Sequence, residues 1–463
     1  MRAGAHPGAA LPDTPAYLRA TEAFNLAAVP RPAAAVTVGS PGEVRAALRT
    51  AASSGWAVRM HTTGHGAATA APMDEALLIR TRMRGPVSID PDRRTARIPA
   101  GATWGEVARA AAPHALFAPH GSSPLVGAVG YLLRGGLSVY GRVTGVAANS
   151  VRAVELVTAD GTSVRADAET DPDLLWALRG GGGGFGVVTA VEIGLFTAGI
   201  TLSGAAYWPA RHAEALLNTW LTWQKDAPRQ ATTSFRMMRL PPQPELPEPL
   251  RGAEVVCVDG TVLAPPGAPG RTPEIMRDLL EPLRAVAPPL VDGWGAEGTL
   301  AALHAHLDPP APLPVLGDHM LVHAVGAPAL AAAAGPDSGC ALTNVELRQL
   351  GGALAERDRS GGVVDHFPAG LAYQGSGVPF GTAGPEQITH DLAAVRTALA
   401  PWDCGRTVPS LVERPETRRD FDAGLLPAVT AVRDRIDPDG VFRGDVVAPS
   451  PAPRTEGRQE AGS

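Results

Sequence analysis

The chain has 463 residues, 45% of them apolar, with a formal net charge of −6. That length and apolar fraction exclude a mainly disordered chain and suffice for two domains, while the dispersed charge gives no footprint for nucleic acid. Three scattered cysteines, Cys257, Cys340 and Cys404, fit neither a disulfide framework nor a zinc site and read as free thiols.

The chain opens on MRAGAHPGAALPDTP, which lacks the apolar core of a signal peptide, and no apolar run approaches the ~20 residues of a membrane span. A soluble, cytoplasmic protein with no membrane partner is expected. AAAVTV (33–38) predicts a strand. Ser40-Pro41-Gly42-Glu43 then combines a capping hydroxyl, a proline at the first helical position and a carboxylate three residues after the cap. Val44, Ala47, Leu48 and Ala51 give that helix its apolar stripe. Ala57 to Met60 is the next strand, and it runs into HTTGHG (61–66). A hairpin is predicted over 87–98, and Thr103 to Glu106 forms a second capping box. AVELVTADGTSVRA (153–166) predicts another hairpin, and DPDLLWALRG (171–180) a helix.

From about residue 197 the texture changes. Trp208, Trp220 and Trp223 accompany a predicted helix, LPPQPELPEPLRG (240–252) is a proline-rich connection, and mixed strands and helices continue to about 400. RDRIDPDGVFRG (433–444) returns to a helix-then-turn pattern, and the last residues, 447–463, have the composition of a disordered tail.

Gly181-x-Gly183-x-x-Gly186 formally matches the dinucleotide fingerprint, but a helix precedes it and Val187 to Ile193 alternate like a strand, the reverse of what that fingerprint requires. The alternative is a cofactor laid across loops, its phosphates held by successive backbone N–H groups. HTTGHG (61–66) and GSSPLVGAVGYLLRGG (121–136) suit that task, with small residues and the hydroxyls of Thr62, Thr63, Ser122 and Ser123.

The order T-G-H-G at 63–66, G-S-S-P-x-V-G-x-V-G at 121–130, R-G-G-L at 134–137, Gly145 with Asn149 and Val151, G-G-x-F-G-V-V-T at 182–189 and D-P-D-G-V-F-R at 437–443 resembles the berberine-bridge-enzyme-like FAD-linked oxidases. The texture is that of their actinobacterial members. The resemblance implies an α+β, two-domain PCMH-type (vanillyl-alcohol-oxidase-type) FAD-binding fold, with a substrate domain of antiparallel sheet covered by helices. The expected boundaries are 15–196 for the FAD-binding domain, 197–400 for the substrate domain and 401–446 for a C-terminal return to the first.

It also implies FAD bound by His65, Thr62, Thr63, Gly64, Gly66, Ser122, Ser123, Gly127, Gly130, Gly135, Gly136, Asn149, Val151, Gly186 and Val188. His65 matches the histidine that commonly bonds the flavin 8α-methyl carbon. Ser123 stands where many relatives carry a second, cysteinyl link, so a single attachment is expected. The implied activity is that of an oxidase. A C–H bond beside a hydroxyl, amine or aromatic carbon of a secondary metabolite or carbohydrate delivers hydride to flavin N5, and O2 is the acceptor. A redox-neutral cyclase or lyase and a non-catalytic flavin binder are the alternatives, and a monomer or homodimer is expected.

The family's Tyr-x-Asn segment is replaced here, Val408 and Ser410 standing for the tyrosine and asparagine, and Asp445 replaces the asparagine after the terminal F-R. The catalytic candidates are therefore Glu346, Arg348 and Tyr131. Asn344, Glu346, Arg348 and Leu350 share one face if 343–350 is a strand. A buried Glu–Arg pair accounts for Glu346 and Arg348 equally well. His319 and His323 would share a face of HMLVHAV (319–325), but with His304 and His306 they match no common ligand spacing, so no metal is expected.

Overall fold

The computed structural model describes residues 8–69, 73–264, 271–379, 383–414 and 421–444. The first sheet has three parallel strands, with Ala76–Thr81 between Ala34–Val38 and Ala57–His61. Both capping devices form at the helix Pro41–Ser54: the Ser40 hydroxyl accepts from Glu43 N, and Glu43 Oε2 accepts from Gly39 N at 2.7 Å. Val44, Ala47, Leu48 and Ala51 pack on Val58 and Leu77. The helix stops at Gly55, where φ is 69°, and the chain re-enters the sheet as Ala57–His61. The carboxyl end of that strand delivers the 61–66 loop.

A second sheet has the order Ser88–Asp90, Thr95–Pro99, Val187–Gly194, Val151–Val157, Ser163–Asp167, with every pairing antiparallel. The glycines 181–186 lie between the helix Pro172–Leu178 and the strand Val187–Gly194, so a strand follows them and the dinucleotide fingerprint is excluded.

The larger sheet runs Val291–Asp292, Thr201–Pro209, Glu254–Leu263, Ala231–Arg239, Asn344–Gln349, Leu371–Gly377, Leu316–Val322. Its two faces differ in chemistry because side chains alternate along each strand. One face presents Phe235, Met237, Val256, Val258, Val345 and Leu347 to the helices Ala213–Lys225, Thr272–Val286, Ala327–Ala334 and Pro385–Leu399. Trp208 belongs to this core but lies on the strand Thr201–Pro209, not on a helix; Trp220 and Trp223 are helical, as expected.

The opposite face follows from register. Arg236 pairs with both Cys257 and Glu346, Ser234 with Asp259 and Arg348, and Glu346 with Gln374, which faces His319. This face is polar and charged although largely buried. Arg142, from the N-terminal half, ties it in place by donating to the carbonyls of Leu350 and Ala227.

The helix Leu426–Ile436 brings the chain back to the N-terminal half. Arg435 pairs with Asp171 at 2.9 Å, and the Asp437 carboxylate accepts from Val441 N and Phe442 N at 2.9 and 2.8 Å. Phe442 then bridges Val58. Asp445 and the expected tail 447–463 lie outside the described residues. Among the described residues no helix is long and apolar enough to cross a membrane.

Candidate functional site

The 61–66 loop is built around one histidine. Thr63 Oγ1 lies 2.8 Å from His65 Nδ1, and Phe24 stacks on the imidazole at 3.9 Å between centroids and 12° between planes. Phe24 is itself held to this loop, its N–H donating to Thr63 O at 2.9 Å. With Nδ1 engaged, His65 Nε2 is buried and has no partner among the described residues. Burial pushes the imidazole down to about 4, with Asp308 opposing, so the ring is neutral near pH 7. Gly64 has φ 72°, and a Cβ there would fall 2.6 Å from Ala23 Cα. A Cβ at Gly66 would meet the Arg134 guanidinium at 2.5 Å.

The second glycine loop meets the first. A Cβ on Gly127 would lie 3.2 Å from Thr62 Cβ and 3.6 Å from Thr63 Oγ1. Thr62 Oγ1 bonds Thr81 Oγ1 at 2.9 Å, and Ser123 Oγ accepts from Leu125 N at 3.3 Å. Ser122 is buried and faces the cleft described below. Gly121 and Gly136 both lie against the Tyr131 ring, the Tyr131 hydroxyl is buried with no partner among the described residues, and Gly130 has open space beside it. Burial raises the Tyr131 hydroxyl's pKa, and the nearby Arg348 opposes that rise. Gly135 rests on Val364; Asn149 donates to Asp365 O at 2.9 Å, and Val151 O accepts from Arg179 at 2.8 Å. Gly135 and Asn149 thus contact the segment 358–367, and Val151 contacts Arg179. Gly186, at φ 151°, and Val188 pack into the strand core against Leu156.

Across from these loops stands the charged face of the large sheet. Arg348 Nε donates to Glu346 Oε1 at 2.5 Å, and His306 bridges two carboxylates, with Nδ1 3.0 Å from Asp259 and Nε2 3.4 Å from Glu346. Arg236 pairs with Asp259 at 3.3 Å and with Asn344 at 3.1 Å. Burial and Arg236 oppose a proton on His306, but Asp259, Glu346 and Asp308 outweigh them and push it up to about 9. Burial opposes charge on Glu346 too, yet Arg348 and His306 hold it well below the usual carboxylate range. Asn344, Glu346 and Arg348 share a face as expected, whereas Leu350 falls past the strand end at Gln349; Arg348 and His306 line a cleft that Ser122 also borders.

Asp259, Arg236 and Asp308 were not singled out from the sequence, and His306 was weighed there only as a member of a rejected metal site. A signal existed for two of them: Arg236 and Asp259 are charges inside the apolar runs SFRMM and VVCVDGTVL. Nothing local marks His306 or Asp308. They sit on a turn where Leu307 has φ 51°, a backbone that is strained for leucine. His319 has a different role: Nδ1 donates to Tyr373 O and Nε2 accepts from Val408 N at 2.9 Å, so both nitrogens are spent on backbone. His323 lies beyond the strand end and is exposed, as is His304. Among the described residues no group of three or more His, Cys, Asp or Glu is arranged for a metal.

Among the described residues, the buried polar atoms without a hydrogen-bond partner include His65 Nε2, His120 Nε2 and Tyr131 Oη from the loops and Gln374 Oε1, Asp308 Oδ2 and Glu413 Oε2 from the sheet and its flanking segments. Each such atom costs about 1–3 kcal/mol if left unmet. Unmet buried donors and acceptors beside a loop whose His65 Nε2 is unengaged suit a polar ligand, and FAD is of that kind.

Residues 32–167 match the FAD binding domain family. Over 166 residues the chain is 32% identical to (R)-6-hydroxynicotine oxidase of Paenarthrobacter nicotinovorans, covering 36% of each protein. Over 180 residues it is 33% identical to the FAD-dependent monooxygenase tpcD of Cochliobolus heterostrophus, covering 39% of this chain and 35% of the relative. The chain thus spans about a third of the length of these curated relatives. Solved structures extend the likeness to the whole fold. The BBE-like 1 enzyme of Physcomitrella patens superposes with TM-score 0.77 at 18% identity, covering 95% of this chain and 96% of its own. The 6-hydroxy-D-nicotine oxidase of Arthrobacter nicotinovorans gives 0.75 at 21%, covering 94% and 96%. The fold is that of the berberine-bridge-enzyme-like, PCMH-type flavoproteins.

Proposed function

We propose that this chain, which carries an FAD-binding domain within the berberine-bridge-enzyme-like fold, is an FAD-dependent oxidase of a small organic substrate, with the flavin attached through His65. The observation that carries this is the His65 imidazole, neutral, clamped by Thr63 and Phe24, with a buried, unengaged Nε2 where the two glycine loops meet. A histidine nitrogen forms a carbon bond only as a free lone pair held in an attacking pose. In the tautomer whose Nδ1–H donates to Thr63 Oγ1, Nε2 is left in that state.

His65, Thr62, Thr63, Gly64, Gly66, Gly127, Ser122 and Ser123 make the wall that would hold FAD. Bound there, FAD supplies a ring that takes a hydride from an oxidisable C–H bond, with O2 as acceptor. The chain's own residues bind and orient. The hydroxyl-bearing Ser122, Ser138, Thr233 and Ser234 border the cleft with Arg348 and His306, a lining suited to a substrate bearing hydroxyls or another polar group. The helices on the far face of the sheet back a rigid wall that keeps water from the charged cluster. A hydroxylated secondary metabolite or a carbohydrate is the substrate class this lining favours.

The test is the absorption spectrum of the purified protein before and after acid precipitation, followed by anaerobic bleaching of the flavin band with alcohols, sugars and amines. Flavin that precipitates with the protein, bleaches with a substrate and releases peroxide on re-oxygenation is expected. A protein that stays colourless with added FAD overturns the assignment, and turnover without oxygen uptake would make it a redox-neutral catalyst.

A further inference from the structure

We propose that Glu413 is the proton acceptor of this site, taking the proton from a substrate hydroxyl or amine, with Asp308 as its charge partner. The inference rests on the proposed function for its substrate, but its geometry stands independently.

The segment 406–414 runs along the edge strand Leu316–Val322 and is pinned to it twice. Val408 N donates to His319 Nε2 at 2.9 Å, and Arg414 Nε pairs with Asp318 at 2.9 Å. Asp318 is further locked by Arg396, whose Nε donates to it at 2.8 Å. Glu413 lies between these pins and turns its carboxylate over Gly317, where a Cβ would overlap it. Gly317 faces Ser376, which in turn faces Asn344, so this is the face that bears Glu346 and Arg348. A side chain at 317 would occupy the space Glu413 uses.

The other carboxylates of the site are spent. Glu346 is bound by Arg348 and His306, and Asp259 by Arg236 and His306. An anion held by two cations is a weak base, because protonation forfeits both attractions. Glu413 Oε2 and Asp308 Oδ2, by contrast, are buried without a partner among the described residues. The charges facing Glu413 are Asp308 from the His306 turn and Arg348 from the sheet, while the neighbouring Arg414 and Asp318 are paired with each other. Burial first, then Asp308, push Glu413 up to about 7, with Arg348 opposing. A base near the working pH combines availability with proton affinity. The step is a proton transfer: the substrate O–H or N–H bond breaks, its electron pair stays on the heteroatom, and the proton adds to the Glu413 carboxylate to leave a neutral carboxyl. The segment that lost the family's tyrosine at Val408 thus supplies a carboxyl five residues on.

Two measurements on the full-length protein test this. Carbon NMR of protein labelled at glutamate carboxyls should show one carboxyl titrating near pH 7, absent in Glu413→Gln, retained in Glu346→Gln, and moved to lower pH in Asp308→Asn. A titration that survives Glu413→Gln, or that lies at the ordinary value of about 4.3, overturns the proposal. With a substrate that bleaches the flavin, the reduction rate should rise with pH through about 7. Glu413→Gln should lower that rate about 100-fold at unchanged flavin absorbance, and Glu413→Asp should keep the pH dependence. An undiminished rate in Glu413→Gln also overturns it. A colourless protein whose Glu413 still titrates near 7 refutes the flavin assignment and, with it, the substrate this carboxyl would serve, while leaving its proton affinity established.

Discussion

Thr63 Oγ1 stands 2.8 Å from His65 Nδ1, and as acceptor of an Nδ1–H it would hold Nε2 as the lone-pair nitrogen. His65→Ala should leave FAD bound but dissociable, with no fluorescent band on a denaturing gel. Thr63→Val removes the hydroxyl and keeps the shape, so Nε2 is no longer held as the free nitrogen. Attachment to added FAD should then slow about 10- to 100-fold, and Thr63→Ser should restore it. Mass spectrometry of the intact protein follows both.

Gly64 tests the loop without reference to a ligand. Its φ of 72° strains any L side chain, and the nearest obstacle is Ala23 backbone, which has no flexible end to move aside. Gly64→Ala should lower the stability of the flavin-free protein by about 2–4 kcal/mol, read by urea unfolding. Gly130→Ala, with open space around it, should change stability by less than about 1 kcal/mol.

These two loops were legible in the sequence because their information is local. Ser40 with Glu43 and Thr103 with Glu106 announce helices, glycine clusters announce close approach, and the strand after Gly186 removes the dinucleotide alternative. The charged face was legible only as far as one strand could show it. Glu346 and Arg348 sit two apart, whereas Asp259, His306 and Glu413 join them through strand register and turn geometry. His319 was weighed from the sequence within an unmatched histidine set, and the structure spends both its nitrogens on backbone.

The Glu346–Arg348 pair can be separated into a fold element and a site element. Removing one partner leaves a buried charge uncompensated, so Arg348→Met should cost about 3–5 kcal/mol. The double variant Glu346→Leu/Arg348→Met removes both charges of the pair, leaves His306 held by Asp259 alone, and should recover most of that loss. If the pair serves only packing, the double variant keeps flavin bleaching by substrate; if it orients substrate, bleaching is lost in a stable protein. Imidazole NMR gives a second signal. Without Glu346, one of the anions holding its proton is gone, and His306 should titrate below its value of about 9.

The pH dependence of stability should have two limbs set by different histidines. His61, His65, His120 and His319 are all pushed down to about 4, foremost by burial. In the unfolded chain a histidine titrates near 6.5, so between 6.5 and 4 the unfolded state binds more protons. Stability is therefore intact above 6.5 and falls as pH drops through that window, by up to about 1.4 kcal/mol per pH unit for each histidine concerned. His306 works in reverse. Its folded value of about 9 lies above the unfolded one, so its contribution is complete below 6.5 and disappears as pH rises through 9. Glu413, also raised in the fold, adds a loss between the ordinary carboxylate range and about 7. Thermal unfolding of flavin-free protein from pH 4 to 10 should thus peak between the limbs. His306→Gln should flatten the alkaline limb and leave the acid one in place, and His120→Phe should make the acid limb shallower by one histidine's share and leave the alkaline one unchanged. An alkaline limb unchanged in His306→Gln would show that His306 is not held protonated between Asp259 and Glu346.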